Sequence, residues 1–153
     1  MRALENKIPP PIVAVVIAVA MWALARITPA IAIDRRVRPA VAGAFVGFGV
    51  CIAAMGMIAF RRARTTINPV KIQEASSMVT GGIYGRTRNP MYVGLTCLLL
   101  AWTVFLASPA ALVGPIIFVL FTTRFQIIPE ERFLTAKFGI EYTAYQQRVR
   151  RWL

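Results

Sequence analysis

The stretch PMYVGLTCLLLAWTVFLASPAALVGPIIFVLFTTRF, residues 90 to 125, decides how this chain folds. It carries no charged residue before Arg124, and the pair Ser108 and Pro109 divides it into two apolar halves. Two apolar helices joined by so short a turn form an antiparallel hairpin. Each half approaches the roughly 20 residues that cross the hydrocarbon core of a bilayer. We therefore predict two membrane-spanning helices, one over residues 90 to 107 and one from there to about residue 125.

Two more apolar runs precede the hairpin. The first covers residues 12 to 25 and the second covers residues 40 to 60, with a short basic loop between them. Gly43 and Gly47 in the second run have the G-x-x-x-G spacing that lets another membrane helix approach closely. The pattern predicts an all-α integral membrane protein with about four transmembrane helices, the last two of which form a tight hairpin.

The composition supports this fold class and excludes several others. The chain has 153 residues, of which 58% are hydrophobic, and its mean hydropathy is +0.62. The net charge of +12 comes from basic residues that flank the apolar runs, where they meet membrane lipids rather than nucleic acid. The chain has no histidine, which removes a common metal ligand and any imidazole base. Cys51 and Cys97 both lie inside apolar runs, so we expect no metal site.

The basic residues also suggest how the chain is arranged across the membrane. We predict a single domain over residues 1–153, made of two spans in 1–60, a cytoplasmic loop in 61–89, the hairpin in 90–128 and a cytoplasmic tail in 129–153. Most basic residues lie in the N-terminus, the loop and the tail, which places both termini in the cytoplasm. The arginines of the first loop argue against this but are fewer. The expected location is the bacterial inner (cytoplasmic) membrane.

The tail is typical of amphipathic helices that lie on the cytoplasmic membrane surface. Tyr142, Tyr145, Val149 and Trp152 share one helical stripe. Gly139 is placed to end one helix before the next begins. We expect Trp152 to be an anchor at the membrane interface.

A first polar motif surrounds the start of the hairpin. Asn89 is a favoured N-cap and Pro90 a favoured first helical residue. The free N–H groups of such a helix start, with Arg88 beside them, attract a carboxylate or a phosphate. Simple capping of the third span explains the same residues equally well.

A second polar motif follows the hairpin, where Glu130 and Glu131 stand together after Pro129 at the membrane boundary. Acidic residues are favoured in the first turn of a helix by its dipole, and this explanation covers both glutamates. The functional alternative is that one of them meets a cationic or hydroxyl-bearing ligand.

Together the two motifs resemble a known family. They read G-x-Y-x-x-x-R-N-P-x-Y-x-G over residues 82–94 and E-E-x-x-L-x-x-x-F-G-x-x-Y-x-x-Y over residues 130–145. In order and spacing they are similar to the isoprenylcysteine carboxyl methyltransferase and phospholipid methyltransferase superfamily, above all its small bacterial integral-membrane members. The resemblance implies a methyltransferase that uses S-adenosylmethionine on a lipid-like or isoprenoid carboxylate, amine or thiol.

The resemblance also implies which residues form the site. The expected cofactor-binding residues, with Arg88 included for its charge, are Ser77, Met78, Val79, Tyr84, Arg88, Asn89, Pro90, Met91, Tyr92 and Glu131. Apart from the resemblance, the expected catalytic residues are Arg124, which at the cytoplasmic end of the fourth span would meet a substrate anion, and Glu130, which, with Tyr92 as the alternative, would accept a proton from an amine or a thiol.

Two departures from the family pattern leave the substrate open. Family members often have histidine at the position of Asn89, and asparagine keeps the hydrogen bonding without the acid–base chemistry. They also tend to have an arginine close before the glutamate pair, whereas the nearest one here is Arg124. The alternative function is a non-enzymatic membrane protein, either a transporter or a structural partner. Transporters usually carry an ionisable residue within a span, and these spans carry none near their centres.

Overall fold

The computed structural model describes residues 8–63 and 78–153, and these residues form helices and turns without any strand. The α-helices are α1 (Pro10–Ile27), α2 (Val37–Arg62), α3 (Pro90–Leu106), α4 (Val113–Thr122), α5 (Ile128–Phe138) and α6 (Ile140–Arg148). Short 3-10 turns precede α3 and α4, at Gly82–Gly85 and Pro109–Leu112, and a π-helical turn at Thr123–Ile127 joins α4 to α5. The predicted all-α fold class is confirmed.

Four apolar helices form the bundle. α1, α2 and the continuous helix Pro109–Phe138 are long and apolar enough to cross a membrane, and Pro90–Leu106 is a shorter apolar helix. Large apolar side chains on their outer faces are exposed, among them Val15 and Leu120. Such faces suit lipid rather than water, so the chain is a multi-pass membrane protein.

The predicted tight hairpin is present. α3 ends at Leu106, and Ala107 adopts a left-handed conformation with φ of 52°. A left-handed residue at this position reverses the chain direction after a helix. The hydroxyl of Ser108, the next residue, lies 3.0 Å from that of Thr28 after α1, which joins the hairpin turn to the end of the first helix.

Glycines set the distance between α2 and α3, which form the most extensive helix pair. A methyl group added at Gly49 would lie 2.8 Å from the carbonyl oxygen of Gly94, and one added at Gly94 would lie 2.7 Å from that of Gly49. The close approach predicted at Gly43 and Gly47 is not found among the described residues, because a methyl group at either position would meet none of them within 4 Å. The spacing identifies a pair of small residues but not the helix face that meets a neighbour.

α1 packs against α3 and α4 rather than mainly against α2, which follows it in sequence. Met21 is buried against Gly114, where a larger residue would leave no room. The side-chain amide of Gln126 donates a 2.7 Å hydrogen bond to the carbonyl oxygen of Ile8. This bond brings the start of α1 to the end of the bundle where α4 finishes.

The tail begins differently from the prediction. A new helix was expected at Pro129, but α4 continues into α5 through the π turn. Proline has no N–H and its ring clashes with the carbonyl group four residues earlier. A π turn widens the helix at that point and accommodates the ring. Gly139, with φ of 57°, ends α5 as predicted.

The aromatic stripe of the tail packs on the protein itself. Tyr142, Tyr145 and Val149 are buried together with Met78 from the segment before α3. Trp152 packs against a second cluster, and its indole N–H lies 3.2 Å from the hydroxyl of Thr123, to which it donates. Trp152 thus makes an internal contact, because the last residues fold back over the start of α3; its role as a membrane anchor stays a prediction.

Candidate functional site

The candidate site lies at the end of the bundle where α3 and α5 begin. The hydroxyl of Tyr92, in the first turn of α3, donates a 2.7 Å hydrogen bond to Oε1 of Glu130, in the first turn of α5. Pro90 and Pro129 each stand within the first two positions of their helix, where proline is favoured. The two prolines fix where the helices begin, and the structure therefore brings two predicted site residues together.

Glu131 is held by two arginines. Its two carboxylate oxygens accept hydrogen bonds from Nε and Nη2 of Arg151 at 2.9 and 2.7 Å. Its Oε1 also lies 3.0 Å from Nη1 of Arg88, and the Glu131 side chain is 13% exposed. Bidentate pairs of this kind are among the stronger side-chain contacts, and the hydrogen bonds to Glu131 raise the pKa of Arg151. A ligand at Glu131 has to share this carboxylate with Arg151 or replace that arginine.

The last residues of the chain form a strap over the start of α3. This C-terminal strap comprises residues 149–152. The backbone N–H of Arg88 donates to the carbonyl oxygen of Arg150 at 3.0 Å, and the side-chain amide of Asn89 donates to that of Arg151 at 2.9 Å. Sequence reasoning missed the strap, because a run of arginines beside a membrane also fits contact with lipid headgroups.

Arg88 has hydrogen-bonding capacity to spare. Its side chain is 10% exposed and its Nη1 atom pairs with Glu131, but its buried Nε atom has no hydrogen-bond acceptor among the described residues. Leaving a buried charged donor unsatisfied costs free energy, so a second anion at this position would be stabilised. Arg88 is thus the part of the site best suited to receive a carboxylate.

Tyr84 forms an aromatic wall beside these charges. The 3-10 turn that carries it begins at Gly82, whose φ of 62° is readily adopted only by glycine. The ring of Tyr84 is buried against Phe60 in an edge-to-face contact, with 5.3 Å between the ring centres. Its carbonyl oxygen accepts a 2.7 Å hydrogen bond from the hydroxyl of Tyr145.

The tyrosines around the site stay neutral at physiological pH. Burial raises the pKa of Tyr142 to about 12, and neighbouring Glu131 adds to the rise while Arg88 partly offsets it. Burial also raises the pKa of Tyr84 and of Tyr145 well above the usual range of a phenol. These side chains therefore supply packing and neutral hydrogen bonds rather than charge.

Asn89 occupies the N-cap position of α3 as predicted, but its side chain does not cap the helix. Its amide is used to hold the C-terminal strap instead. The carbonyl oxygen of Asn89 accepts hydrogen bonds from the N–H groups of Tyr92 and Val93, both at 3.0 Å. Two N–H groups of the first turn are thus satisfied within the helix, and charge attraction at this end rests mainly on Arg88.

The remaining predicted cofactor-binding residues that the structure describes lie around this end of the bundle. Met78 and Val79 are partly buried in the segment that leads to the 3-10 turn. Met91 is partly buried where α3 passes Gly56. Ser77 lies outside the described residues.

The two predicted catalytic residues occupy different positions. Glu130 faces Tyr92. Arg124 lies on the π turn, is exposed, and has its guanidinium carbon 5.4 Å from the centre of the Phe125 ring. Among the described residues, no group of three or more histidine, cysteine, aspartate or glutamate side chains could hold a metal ion.

Comparison with known families identifies the chain. Residues 37–141 match the family model for phospholipid methyltransferases, and this match covers more than half of the sequence. The chain belongs to the phospholipid methyltransferase family. The matched region extends from the start of α2 into α6, so it contains Tyr92, Glu130 and Glu131.

Individual relatives agree with this assignment. Protein-S-isoprenylcysteine O-methyltransferase A of Arabidopsis thaliana is 32% identical over 104 residues, which are 66% of this chain and 51% of the relative. A probable protein-S-isoprenylcysteine O-methyltransferase of Oryza sativa subsp. indica is 30% identical over 104 residues, which are 66% of this chain and 53% of the relative. The chain thus spans about half the length of these plant relatives.

An uncharacterized protein of Haemophilus influenzae is 52% identical over 63 residues, which are 41% of this chain and all of that protein. No solved structure matches the chain.

Proposed function

We propose that this protein is an S-adenosylmethionine-dependent methyltransferase that acts on a lipid-like or isoprenoid substrate at the membrane. The observation that carries the proposal is the buried guanidinium of Arg88 at the start of α3, whose Nη1 atom pairs with Glu131 and whose Nε atom has no hydrogen-bond acceptor among the described residues. An anionic group in this place would complete the hydrogen bonding of Arg88. S-Adenosylmethionine offers both a carboxylate and an ammonium group on one end.

The donors and acceptors of the site fit this cofactor. Arg88 would receive the carboxylate, and Glu131 would receive the ammonium group or a ribose hydroxyl. Arg151 now pairs with Glu131, and because its side chain is 37% exposed, its guanidinium would move into water when the ammonium group of the cofactor takes its place. Tyr84 and Met91 would supply apolar surface for the rest of the molecule.

Methyl transfer requires the protein mainly to position the acceptor relative to the methyl group. The cofactor supplies a sulfonium-bound methyl group that is already activated. A carboxylate acceptor needs only to be held in line with that group. An amine or a thiol must also lose a proton, and the Glu130 carboxylate, hydrogen-bonded to the Tyr92 hydroxyl, is placed to accept it.

The substrate would come from the lipid side of the bundle. Arg124 is exposed on the π turn that precedes Glu130, and its positive charge suits an anionic group of a membrane-bound acceptor. We assign it to substrate positioning rather than to cofactor binding. Its replacement by alanine should raise the KM for the acceptor and leave cofactor affinity unchanged.

The arrangement across the membrane follows from the site. Ile8 and the C-terminal strap lie at the same end of the bundle as Glu130. Since the cofactor is a soluble metabolite of the cytoplasm, we propose that this end faces the cytoplasm and that the protein resides in a bacterial inner membrane. In a variant that lacks Cys51 and Cys97, single cysteines introduced at Ile8 and at Ile31, which is exposed and hydrogen-bonded to the hairpin turn, should then label from opposite sides of intact membrane vesicles.

The test is S-adenosylmethionine binding by calorimetry on detergent-purified protein. Arg88→Gln and Glu131→Gln should each weaken binding at least about 10-fold, since each removes a charge-assisted contact of about 1.5–3 kcal/mol. Arg86→Gln is the matched control, because Arg86 is exposed two residues before Arg88 and should bind like the wild type. Absence of saturable binding in the folded wild-type protein would contradict the proposal and favour a non-enzymatic role.

A further inference from the structure

A second candidate site lies at the opposite end of the bundle. A groove of about 230 Å³ between α1 and α3 is lined by Val15, Ala18, Val19, Trp22 and Trp102. We call it the distal groove. Along α3, Trp102 is 12 residues from Pro90, which corresponds to about 18 Å of helix. The groove is therefore separate from the site at Tyr92 and Glu130.

The walls of the distal groove are apolar and held in place. The indole N–H of Trp102 donates a 3.0 Å hydrogen bond to the carbonyl oxygen of Ala18, which fixes this ring across the groove. Val15, Val19 and Trp22 on α1 are all strongly exposed. In a membrane this surface faces acyl chains, and a fixed aromatic wall gives one chain a defined position.

Two cations stand at the aromatic ends of the groove. The guanidinium carbon of Arg26 lies 5.7 Å from the ring centre of Trp22. On the other wall, Trp102 stacks on Phe105 with 5.4 Å between ring centres, and the guanidinium carbon of Arg38 lies 5.2 Å from the centre of Phe105. The distal groove is thus bordered by a guanidinium on each side.

These two arginines have little acidic charge near them in the described sequence. Asp34 is the one acidic residue between positions 8 and 63, and its Oδ1 accepts from the N–H groups of Arg36 and Val37 at 2.7 and 3.3 Å. The Nε atom of Arg38 is buried and has no hydrogen-bond acceptor among residues 8–63 and 78–153. The distal groove thus has apolar walls and two bordering arginines, and the buried Nε atom of Arg38 lacks a hydrogen-bond acceptor among the described residues.

We propose that the distal groove binds one anionic phospholipid. An acyl chain would lie between Trp22 and Trp102, and the headgroup phosphate would lie between Arg26 and Arg38. This assignment also explains why a loop expected on the far side of the membrane carries arginines, which the usual charge bias disfavours there. The lipid is bound as a structural ligand and is not the methyl acceptor, because the groove lies away from Glu130.

The test is native mass spectrometry of protein taken from nanodiscs that contain equal amounts of phosphatidylglycerol and phosphatidylcholine with identical chains. The wild type should retain one phosphatidylglycerol in preference to phosphatidylcholine. The double variant Arg26→Gln/Arg38→Gln should lose this preference by about 25-fold, because each arginine near a membrane surface contributes a factor of about five. Its affinity for S-adenosylmethionine should be unchanged, which separates this proposal from the methyltransferase assignment.

The control is Arg35→Gln/Arg36→Gln, which removes the same charge from exposed positions of the same loop and should keep the lipid. Equal retention of both lipids by the wild type, or equal loss in both double variants, would overturn the proposal. Trp102→Leu, which keeps all charges, should also release the lipid, and retention would show that the groove is not involved. Displacement of the lipid by glycerol phosphate would reduce the site to a phosphate site and overturn the phospholipid assignment.

Discussion

The interface between α2 and α3 and the candidate site at its end are held by different kinds of contact. In the interface, Gly49 and Gly94 bring two backbones against each other. In the site, Glu131 is held by the side chains of Arg88 and Arg151. A close-packed backbone contact has one spacing and tolerates little change, whereas an ion pair with an exposed partner can give up that partner to a ligand. The interface between α2 and α3 is thus a fixed scaffold, and the candidate site at its end is held by contacts that a ligand can replace.

The largest expected effect is on catalysis at the candidate site. Glu130→Gln keeps an acceptor for the Tyr92 hydroxyl but removes the proposed base, so turnover of an amine or thiol acceptor should fall about 100-fold or more. A carboxylate acceptor loses no proton and should react at the wild-type rate. Transfer of a radiolabelled methyl group to acceptors of each class measures the difference.

Glu141→Gln is the matched control, since Glu141 is exposed on α6 and its substitution makes the same chemical change. Equal loss with every class of acceptor would show that Glu130 supports the structure rather than the proton transfer.

The next effect concerns the fixed scaffold. Gly94→Val places carbon atoms where a methyl group would already lie 2.7 Å from the carbonyl oxygen of Gly49. Overpacking of this kind should destabilise the bundle by about 3 kcal/mol. Gly47→Val adds the same atoms where a methyl group meets nothing within 4 Å and should be nearly neutral. Thermal unfolding in detergent compares the two variants, and similar melting temperatures would contradict the interface as described.

A smaller effect should be confined to the C-terminal strap and leave the scaffold unchanged. Asn89→Ala removes the hydrogen bond to the carbonyl oxygen of Arg151, at a cost of about 1 kcal/mol. Amide hydrogen exchange should speed up in residues 149–153 and stay unchanged in α2. Gln147→Ala, which truncates an exposed amide on α6, should change neither region. Faster exchange throughout the protein would mean that the strap and the scaffold unfold together.

The smallest effect is a loss of tail packing at high pH. Burial raises the pKa of Tyr142 to about 12, compared with about 10 for a free phenol. Because this pKa is higher in the folded state than in the unfolded state, the neutral Tyr142 side chain contributes fully to the free energy of unfolding below pH 10. That contribution is lost as the pH rises from about 10 to 12. Phenolate absorbance should show this late titration, and Tyr142→Phe should remove part of it. Titration of all tyrosines near pH 10 would contradict the burial of the stripe.

Much of the scaffold could be predicted from the sequence, because it depends on local properties. The length of the apolar runs predicts four membrane helices, the Ser108–Pro109 pair predicts the hairpin turn, and Gly139 predicts the end of α5. The glycine contact could not be predicted, since the face of α2 that meets α3 is decided by the packing of both helices. Gly49 stands only two positions from Gly47, yet it faces a different side of the helix.

The candidate site was predicted in part. The resemblance to a family predicted Tyr92, Glu130 and Glu131 as site residues. The structure brings Tyr92 and Glu130 together. Neither motif indicated Arg151, which reaches Glu131 from 20 positions away along the chain. Such a contact depends on how the tail folds back, and local spacing carries no record of it.

The packing order of the helices has a consequence for how the protein is made. α1 and α2 are synthesised first, but each finds its main partner in α3, and α1 finds a further one in α4. A nascent chain stopped before residue 90 would hold two inserted helices that lack their main contacts. Assembly in the membrane is therefore deferred until α3 arrives, and a folding sensor on a nascent chain should report compaction only after the hairpin has left the ribosome.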